Sequence, residues 1–551
     1  MPKLSKNDLL EVISLLRLDV FFLLAMLGSS IPSITINQLA QDKWCLNSFS
    51  GNQSVCLNLE NSGTEYESLR NEVLKKATTL KMYTTILKTI PGIPTSLFLG
   101  YWIDTYPGHI RYLLTFGPIT IVIQNLMIWY QCIHFETGAM SLLYTYIVPA
   151  LTSSLVATGA FTYATRKTPP KYRAIRFTVL EIFVIAAMPL SSSIGGLLLG
   201  MKPWLSSQLR NYIGVIIVST ACSLIAAIWS AIMITDTSHD IAKQENETTN
   251  DENSEDKPRN STNPDTIDKK KEKTLTEKIS EVLQFGNLIK TVQTALRPRE
   301  NNQRAALLMI ILSMIICNIG YLGETEIGLQ FAQRVYHWSS EHYSYMTSVM
   351  IILPAILIFA TPAILIHKYN LHDTVIGILG SLSLVSLLLI KGIFLNQTAF
   401  LIGVIPGGFI GLLPIVNRTI VSRIIRANEI GQIYSLISSI EPAGPLISSV
   451  LYTKIFNATI DDYPGTVYIV IGTICSFPTF VTFWLYITKD QWDLVLIGEK
   501  AKAINGDNND KNNQSTSTRG DATSKSTTLS SVSFQSDQHV VQIRDELNEN
   551  N

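Results

Sequence analysis

Charged side chains are scarce in this chain, and their two signs balance. Only 16% of the 551 residues are Asp, Glu, Lys or Arg, and 43 acidic residues offset 43 basic ones. A chain with no net charge has no overall electrostatic attraction to nucleic acid or to strongly acidic partners. The composition therefore predicts a protein that binds no nucleic acid.

Residues that build metal centres and catalytic sites are also few. The chain has 6 cysteines and 8 histidines, with no CxxC pair and no Cys/His cluster, so zinc and iron–sulfur sites are not expected. A Walker A sequence, a nucleophile elbow and a catalytic-triad motif are absent as well. We therefore expect no metal, no cofactor, no ATP-driven step and no enzyme activity.

Long apolar runs, by contrast, are abundant. Hydrophobic residues make up 47% of the chain, and they gather in about twelve blocks of membrane-spanning length. The blocks lie near 17–38, 80–103, 111–132, 141–163, 175–199, 212–235, 305–325, 343–366, 373–394, 399–420, 432–455 and 465–487. This pattern predicts an all-α membrane protein with about twelve transmembrane helices.

The blocks fall into two groups of six, separated by a polar linker. We predict a cytoplasmic N-terminus, a six-helix half, a cytoplasmic linker, a second six-helix half and a disordered cytoplasmic tail, at residues 1–16, 17–236, 237–303, 304–488 and 489–551. Within the linker, residues 244–273 are polar and lack aromatics, which predicts disorder. Apolar residues then recur at helical spacing over 279–296, which predicts an amphipathic helix.

Basic residues in the short loops predict the orientation. They follow the fourth and the tenth apolar blocks: Arg166, Lys167, Lys171, Arg173, Arg176, Arg418, Arg423 and Arg426. Loops rich in Lys and Arg stay on the cytoplasmic side. Because the number of spans is even, both termini are then cytoplasmic.

The loop after the first block is expected to face the outside. Cys45 and Cys56 lie close together in it, and an oxidising compartment allows them to form a disulfide. The sequon that begins at Asn52 lies in the same loop, and another begins at Asn457 in the last outer loop. These positions predict glycosylation of both asparagines.

A short motif lies between the second and third blocks. Gly100 and Asp104 are followed by Gly108 and Arg111. Together with the two groups of six helices, this motif resembles the major facilitator superfamily, in which a substrate site lies at mid-membrane between the halves. The resemblance implies a gating role for Asp104. An ordinary capped turn is the alternative.

Further motifs narrow the resemblance. They are Lys43-Trp-Cys45 and Val55-Cys56-Leu-Asn-Leu59, Arg173-Ala-Ile-Arg176 with Leu180-Glu181, Pro414 with Arg418, and Ser439-Ile-Glu441-Pro442. In this order and spacing they resemble solute carrier family 46, the group that includes the proton-coupled folate transporter. The resemblance covers roughly residues 16–236 and 304–487. It implies proton-coupled transport in the plasma membrane or an endolysosomal membrane.

Ionisable side chains inside apolar spans are costly and therefore indicate function. Glu181 matches the family's fifth-span glutamate, which the resemblance implicates in proton coupling. Burial raises the pKa of a carboxyl, so that it can load and release a proton. A structural acid, hydrogen-bonded within its own half, is the alternative. Arg173 and Arg176 belong to the cytoplasmic family motif that precedes it.

The second half offers its own candidates. Glu441 lies in span eleven, the symmetry partner of span five, and is predicted to take part in transport. Arg418 is predicted either to bind a carboxylate or phosphate or to serve as a positive-inside anchor. Glu324 and Glu326, near the outer end of span seven, are expected to be solvated or to lie in a vestibule, with little part in coupling.

These observations predict a secondary active transporter. It would move a small organic, anionic solute together with protons by alternating access. Its other partner would be the lipid bilayer. The sequence does not indicate an oligomeric state. Gly320-Tyr321-Leu-Gly323 stands where the folate transporter has a histidine, so folate is not the expected solute. The alternative class is a non-transporting membrane receptor or scaffold on the same fold.

Overall fold

The structure is a computed structural model of the chain. It describes residues 6–49, 52–61, 64–152, 155–167, 173–205, 208–234, 296–299, 302–365, 369, 371–425, 433, 436–437, 440–441 and 443–493. For some residues inside these ranges, only the backbone is described and the side chain is not. These are residues 6–16, 96–101, 103–105, 107, 157, 161, 165–166, 173–179, 181–182, 184–185, 359 and 362–363. Most of the predicted linker and nearly all of the predicted tail also lie outside it.

The described residues form helices and turns, with no β-strand among them. The α-helices of the first half are α1 (Lys6–Ser30), α2 (Ser33–Lys43), α3 (Gln53–Leu57), α4 (Glu67–Thr105), α5 (Ile110–Ile133), α6 (Ile147–Ala150), α7 (Leu155–Lys167), α8 (Arg173–Gly200) and α9 (Tyr212–Met233). Those of the second half are α10 (Gln303–Val335), α11 (Ser340–Met350), α12 (Ile352–Leu365), α13 (Asp373–Ile393), α14 (Gln397–Gly407), α15 (Leu412–Ile424), α16 (Ala443–Thr459), α17 (Thr466–Ile474), α18 (Ser476–Ile487) and α19 (Lys489–Trp492).

The described part of the chain contains 8 helical segments that are long and apolar enough to cross a membrane. They are Arg17–Ser48, Ile110–Ile133, Tyr212–Met233, Gln303–Val335, Ser340–Ile358, Asp373–Ile393, Gln397–Ile424 and Thr466–Ile487, with shorter apolar helices at Ala139–Ala150 and Ala186–Gly200. The predicted spans 80–103 and 432–455 also contain helix, in α4 and α16. The predicted all-α membrane fold is confirmed.

Two helix pairs make the largest contacts between the two halves, beside smaller contacts of α4 on α10 and of α2 on α11. Helix α8 packs on α11, and α4 packs on α16, so that each half contributes one helix to each pair. Close approach relies on small residues, as is usual between membrane helices. A Cβ on Gly196 of α8 would lie 2.4 Å from the Cβ of Ser344 on α11, which leaves no room for a larger residue there.

Helix α4 is irregular at the depth where the halves meet. Pro91 and Pro94 lie inside it, and each lacks the N–H that would bond the carbonyl four residues earlier. Thr95 forms an additional local bond, because its hydroxyl donates to the Pro91 carbonyl at 2.9 Å. Pro91 leaves the carbonyl of Leu87 without its helical partner, one residue before Lys88.

Candidate functional site

A cavity of about 540 Å³ lies between the two halves. Helices α2, α4 and α8 line it from the first half, and α10 to α14 line it from the second. The volume falls in the range of small-molecule sites, roughly 300–1,000 Å³. Its ionisable lining residues are Lys81, Lys88, Glu324, Glu326 and Lys391, together with Tyr146, Tyr321 and Tyr343.

Two lysines enter the cavity from α4. Lys81 and Lys88 are seven residues apart, so they lie on one face of the helix. The Lys81 ammonium donates to the carbonyl oxygen of Thr325 on α10. Lys88 Nζ lies 4.5 Å from the ring centroid of Tyr146. Lys88 is ~26 Å along the axis from the end of α4 at Thr105, which places its ammonium deep within the apolar block.

Two acids enter from α10. The Lys391 ammonium forms an ion pair with Glu324 and lies 4.4 Å from the Phe400 ring centroid. Thr85 donates its hydroxyl to both carboxylate oxygens of Glu326, at 3.2 and 3.1 Å. Of the two alternatives expected for these acids, solvation or a vestibule, the vestibule fits Glu326, which is only 9% exposed and lines the cavity. Helix α10 continues to Val335, so both acids lie roughly 14–17 Å inside its outer end.

The cavity therefore carries an excess of basic groups. Three lysines face two glutamates, and Glu324 is already paired with Lys391. Among the described residues, no hydrogen bond and no ion pair holds the Lys88 ammonium. The Tyr146 ring lies beside it, and Glu326 acts on it only at longer range. An unpaired cation in a membrane protein interior is costly. A negatively charged ligand in the cavity would compensate it.

The side of the cavity toward the predicted outer loops, which we call the outer side, is closed by contacts between the halves. Gln41 donates to Gln333 at 2.8 Å, and both amides are buried. Arg334 pairs with Glu67 at 2.6 Å. We name Gln38, Gln41, Gln333 and Ser340, which are hydrogen-bonded to one another, the outer amide cluster.

A second group of outer contacts lies nearer the loops. Lys75 pairs with Asp461 at 2.6 Å, and Asn71 donates to the same carboxylate at 2.9 Å. The bond from Lys75 lowers the pKa of Asp461 below its ordinary value. This carboxylate consequently stays ionised throughout the pH range from endolysosomal to neutral, and the ion pair persists there.

The outer loop contains the predicted disulfide. Cys45 and Cys56 are bonded, both are fully buried, and they pack with Leu59 and Val73. The disulfide prediction is therefore confirmed.

In the same loop, burial raises the pKa of Glu60 above its ordinary value, and the nearby Arg210 opposes that shift.

The two sequon asparagines differ in their surroundings. Asn52 is exposed and caps the N-terminus of α3, where its side chain accepts from the Ser54 amide at 3.5 Å. Asn457 instead lies between the halves. Its side-chain oxygen accepts from Thr78 at 2.7 Å, and its amide nitrogen donates to Thr79 at 3.0 Å. The nitrogen that a glycan would modify is thus engaged in the interface, whereas glycosylation itself remains a prediction at both positions.

The structure brings Arg418 and Glu441 together. Arg418 Nη2 lies 3.0 Å from Glu441 Oε1, so α15 and the short segment before α16 are joined within the second half. Glu441 lines a small crevice with Ile311 and Met314, and neither member of the pair lines the central cavity. This geometry favours a role inside the second half over direct contact with a solute in the cavity.

The loop motif between α4 and α5 forms a tight turn. Helix α4 ends at Thr105, a 3₁₀ turn spans Pro107–His109, which includes Gly108, and α5 begins at Ile110. Arg111 donates to the carbonyl of Ala231 in the last turn of α9, where the helix dipole favours a cation. The side chain of Asp104 and the surroundings of Gly100 lie outside the described residues, so the gating role remains a prediction.

Glu181, Arg173 and Arg176 lie on α8, and their side chains are also outside the described residues. Their predicted roles remain predictions.

The lysines of the cavity, by contrast, had a signal in the sequence that the predictions did not use. Lys81 and Lys88 stand in an apolar block, so the rule that selected Glu181 would have selected them as well.

Two helical halves around a central cavity that is closed on its outer side define a multi-pass secondary transporter. The comparisons with known proteins agree. The sequence model of the Major Facilitator Superfamily matches residues 18–449, and the chain belongs to that superfamily. Because the superfamily and the similar proteins below are transporters, the expectation that the chain is not an enzyme is confirmed.

A curated relative supports the narrower resemblance. The chain is 27% identical over 178 residues to the "Probable peptidoglycan muropeptide transporter SLC46" of Drosophila melanogaster. The match covers 31% of this chain and 34% of the relative, so the chain matches about a third of that protein's length. It agrees with the resemblance to solute carrier family 46 drawn from the motifs.

Solved structures share the fold. A bacterial homolog of the human lysosomal transporter Spinster has a TM-score of 0.54 and 13% identity, covering 88% of this chain and 97% of that one. The human organic anion transporter MFSD10 has a TM-score of 0.55 and 10% identity, covering 86% and 99%. The peptide transporter POT with bound alafosfalin has a TM-score of 0.53 and 10% identity, covering 86% and 95%. These likenesses show the fold alone.

Proposed function

We propose that this protein transports a small organic solute bearing a carboxylate, of the muropeptide type, by alternating access and together with protons. The observation that carries the proposal is the Lys88 ammonium in the central cavity, which no hydrogen bond and no ion pair holds among the described residues. A solute carboxylate beside Lys88 would be a charge-assisted partner in a site of low dielectric constant, where such contacts are strong.

The solute class follows from the cavity and from the relative. The volume of about 540 Å³ accommodates a solute larger than a single amino acid, and the lining offers hydroxyl and amide groups in addition to its lysines. The Drosophila relative is described as a probable muropeptide transporter. Muropeptides carry carboxylates, amides and sugar hydroxyls, and each of these groups has complementary side chains in the cavity.

The closed outer side suggests how the solute moves. Contacts on the outer side hold the halves together. They extend from the outer loops to Ser348, which donates to the Pro189 carbonyl at 3.0 Å. Alternating access requires these contacts to break when the cavity opens outward. A solute that bridges α4 and α10 would bias the equilibrium only if it binds the two states with different affinity.

For proton coupling, the geometry favours Glu326, and the family resemblance favours Glu181. Glu326 faces the cavity, is buried, and both of its carboxylate oxygens share the single hydroxyl proton of Thr85. Its protonation would change the charge that a solute meets beside Lys81 and Lys88. Glu441 is the weaker candidate, because its partner is Arg418 outside the cavity lining.

We further propose that both termini are cytoplasmic and that Asn52 carries a glycan. The disulfide between Cys45 and Cys56 supports an outer loop in an oxidising compartment, as expected for either the cell exterior or the lumen of an endolysosome.

Uptake into proteoliposomes tests the function. The purified protein is reconstituted, and accumulation of radiolabelled N-acetylmuramyl-alanyl-isoglutamine is measured with and without an inward proton gradient. Accumulation above the equilibrium level, only with the gradient, is the expected result. If the protein binds this muropeptide but never moves it, the receptor class replaces the transporter.

A further inference from the structure

A second, smaller cavity of about 200 Å³ adjoins the central one inside the first half. Parts of α1, α2, α5 and α6 line it. Ser33, Lys88 and Tyr146 line both cavities, so the Lys88 ammonium and the Tyr146 ring stand at the junction. We call this space the side cavity.

The side cavity contains a buried side-chain amide that has no hydrogen-bond partner in the described part of the chain. Gln124 of α5 is 7% exposed and lines the cavity, and no hydrogen bond joins its amide to any described residue. Its neighbour behaves differently, since Asn125 donates to Ser219 Oγ at 2.8 Å. The residue is buried, but its amide atoms are reached from the cavity, so a ligand in the cavity can supply the hydrogen bonds that they lack.

The two threonines of the side cavity are already engaged. Thr120 donates to the Gly117 carbonyl at 2.7 Å, and its hydroxyl lies 2.8 Å from that of Thr152. Much of the remaining wall is apolar, with Ile36, Ile121 and Val156 among its members. Gln124 is thus the amide available to a ligand there, away from the junction where Ser33, Lys88 and Tyr146 lie. A primary amide offers one acceptor and a two-proton donor.

From this arrangement we infer that the side cavity is a second substrate subsite, which takes an uncharged, amide-bearing arm of the solute. Gln124 bonds the amide of that arm, and Lys88 at the junction holds the carboxylate. The inference rests on the proposed function, because it takes the central cavity as the main site. It adds a requirement on the solute: a carboxylate and a neutral secondary amide within reach of each other, as an acetamido group provides.

The test compares two probes in two assays. The first probe is N-acetylmuramyl-alanyl-isoglutamine, and the second is its 2-deoxy analogue without the acetamido group. Binding to the purified full-length protein is measured by ligand-induced thermal stabilisation, and uptake is measured in proteoliposomes. The variants are Gln124→Met, which keeps the side-chain length, and Gln124→Asn, which keeps the amide. Ile123→Met, on the exposed face of the same helix, is the control.

The wild type and Ile123→Met are expected to prefer the acetamido probe about tenfold, the ratio that one net hydrogen bond of a buried amide gives. In Gln124→Met the two probes bind equally, and Gln124→Asn is intermediate. A merely structural role for Gln124 would weaken both probes and leave their ratio unchanged, which overturns the inference.

The remaining outcomes separate the two proposals. If the wild type binds the probes with the expected ratio but transports neither, the transport function fails and the subsite stands. If the wild type binds both probes equally, or neither of them, the subsite is overturned whatever the transport assay shows. If Gln124→Met fails to fold, the ratio in Gln124→Asn decides.

Discussion

At the scale of single residues, the protein is organised around ionisable groups in an apolar interior. Lys391 and Glu324 neutralise each other, and Thr85 satisfies Glu326. The contact that remains for Lys88 is the face of the Tyr146 ring, and such a contact is worth about 0.5–2 kcal/mol. Placing a lysine at the centre of a membrane helix costs more, about 2.5–3.5 kcal/mol on insertion scales. The difference is what a solute carboxylate is expected to supply.

The acids lead to a prediction about coupling. Glutamine mimics a permanently protonated carboxyl, so Glu326→Gln and Glu181→Gln are expected to abolish gradient-driven accumulation but to retain solute exchange without a gradient. Glu441→Gln breaks the pair with Arg418 and should reduce the rate while keeping the gradient dependence. Proteoliposome uptake at matched protein incorporation checks this. Full gradient dependence in Glu326→Gln would rule out the cavity acid.

Glu60 leads to a prediction about pH and stability. Burial raises its pKa in the folded protein, so the folded state holds the proton more tightly than the unfolded state does. The contribution of this group is complete below the unfolded pKa and is lost as the pH rises through the folded pKa. Glu60→Gln should therefore unfold at a higher temperature than the wild type at pH 7.4, with a smaller difference at pH 5.

Thermal unfolding in detergent at the two pH values provides the measurement. Glu136→Gln is the matched control, because Glu136 is exposed in an outer turn, and it should change the unfolding temperature little at either pH. A Glu60→Gln protein that is less stable than the wild type at pH 7.4 would show that Arg210 outweighs burial.

At the scale of elements, the outer loop is a folded cap. Its disulfide closes a ring over a sequence separation of 11 residues, which stabilises the protein by about 2–3 kcal/mol in the chain-entropy account. The double variant Cys45→Ser/Cys56→Ser is expected to lower the unfolding temperature by several degrees. Cys222→Ser, at a half-buried free cysteine, should leave it nearly unchanged, and an equal loss in both variants would contradict the account.

The contacts that close the outer side differ in strength. Gln333 is 3% exposed, and it bonds three partners of the outer amide cluster. Losing such buried bonds costs about 1–3 kcal/mol. Asp461 is half-exposed, and an exposed ion pair is worth about 0–1 kcal/mol. Gln333→Ala should therefore open the outer side far more than Asp461→Asn does.

Distances between spin labels at the exposed positions Asn58 and Asp462 measure this opening. Gln333→Ala should populate a longer distance that the wild type lacks, and Asp461→Asn should shift the distribution only slightly. The reverse order would mean that the ion pair, and not the buried amides, holds the outer side closed.

The sequence predicted the elements better than it predicted their partners. Apolar runs locate membrane helices because the bilayer sets their length, and the close pair of cysteines predicted the disulfide. The sequence could not predict the ion pair between Arg418 and Glu441, because this contact depends on how α15 packs near the start of α16. The sequence left open whether Glu326 is solvated or lies in a vestibule, because it does not show that α10 continues ten residues beyond the end of its apolar block.

At the scale of the whole molecule, two halves enclose a site that neither half forms alone. Lys88 comes from the first half, Glu326 and Lys391 come from the second, and the outer contacts join them. The two-half architecture could be predicted from the grouping of apolar blocks, but the cavity could not. Its composition follows from which faces of α4, α10 and α13 turn inward.

The central claim is that Lys88 binds a carboxylate of the transported solute. The most direct test measures uptake of N-acetylmuramyl-alanyl-isoglutamine and of its uncharged methyl ester by the wild type, by Lys88→Gln and by Lys454→Gln, an exposed lysine outside the cavity lining. The account predicts that the wild type and Lys454→Gln prefer the acid at least about tenfold, and that Lys88→Gln loses this preference. Equal uptake of acid and ester by the wild type, or an unchanged preference in Lys88→Gln, would contradict it.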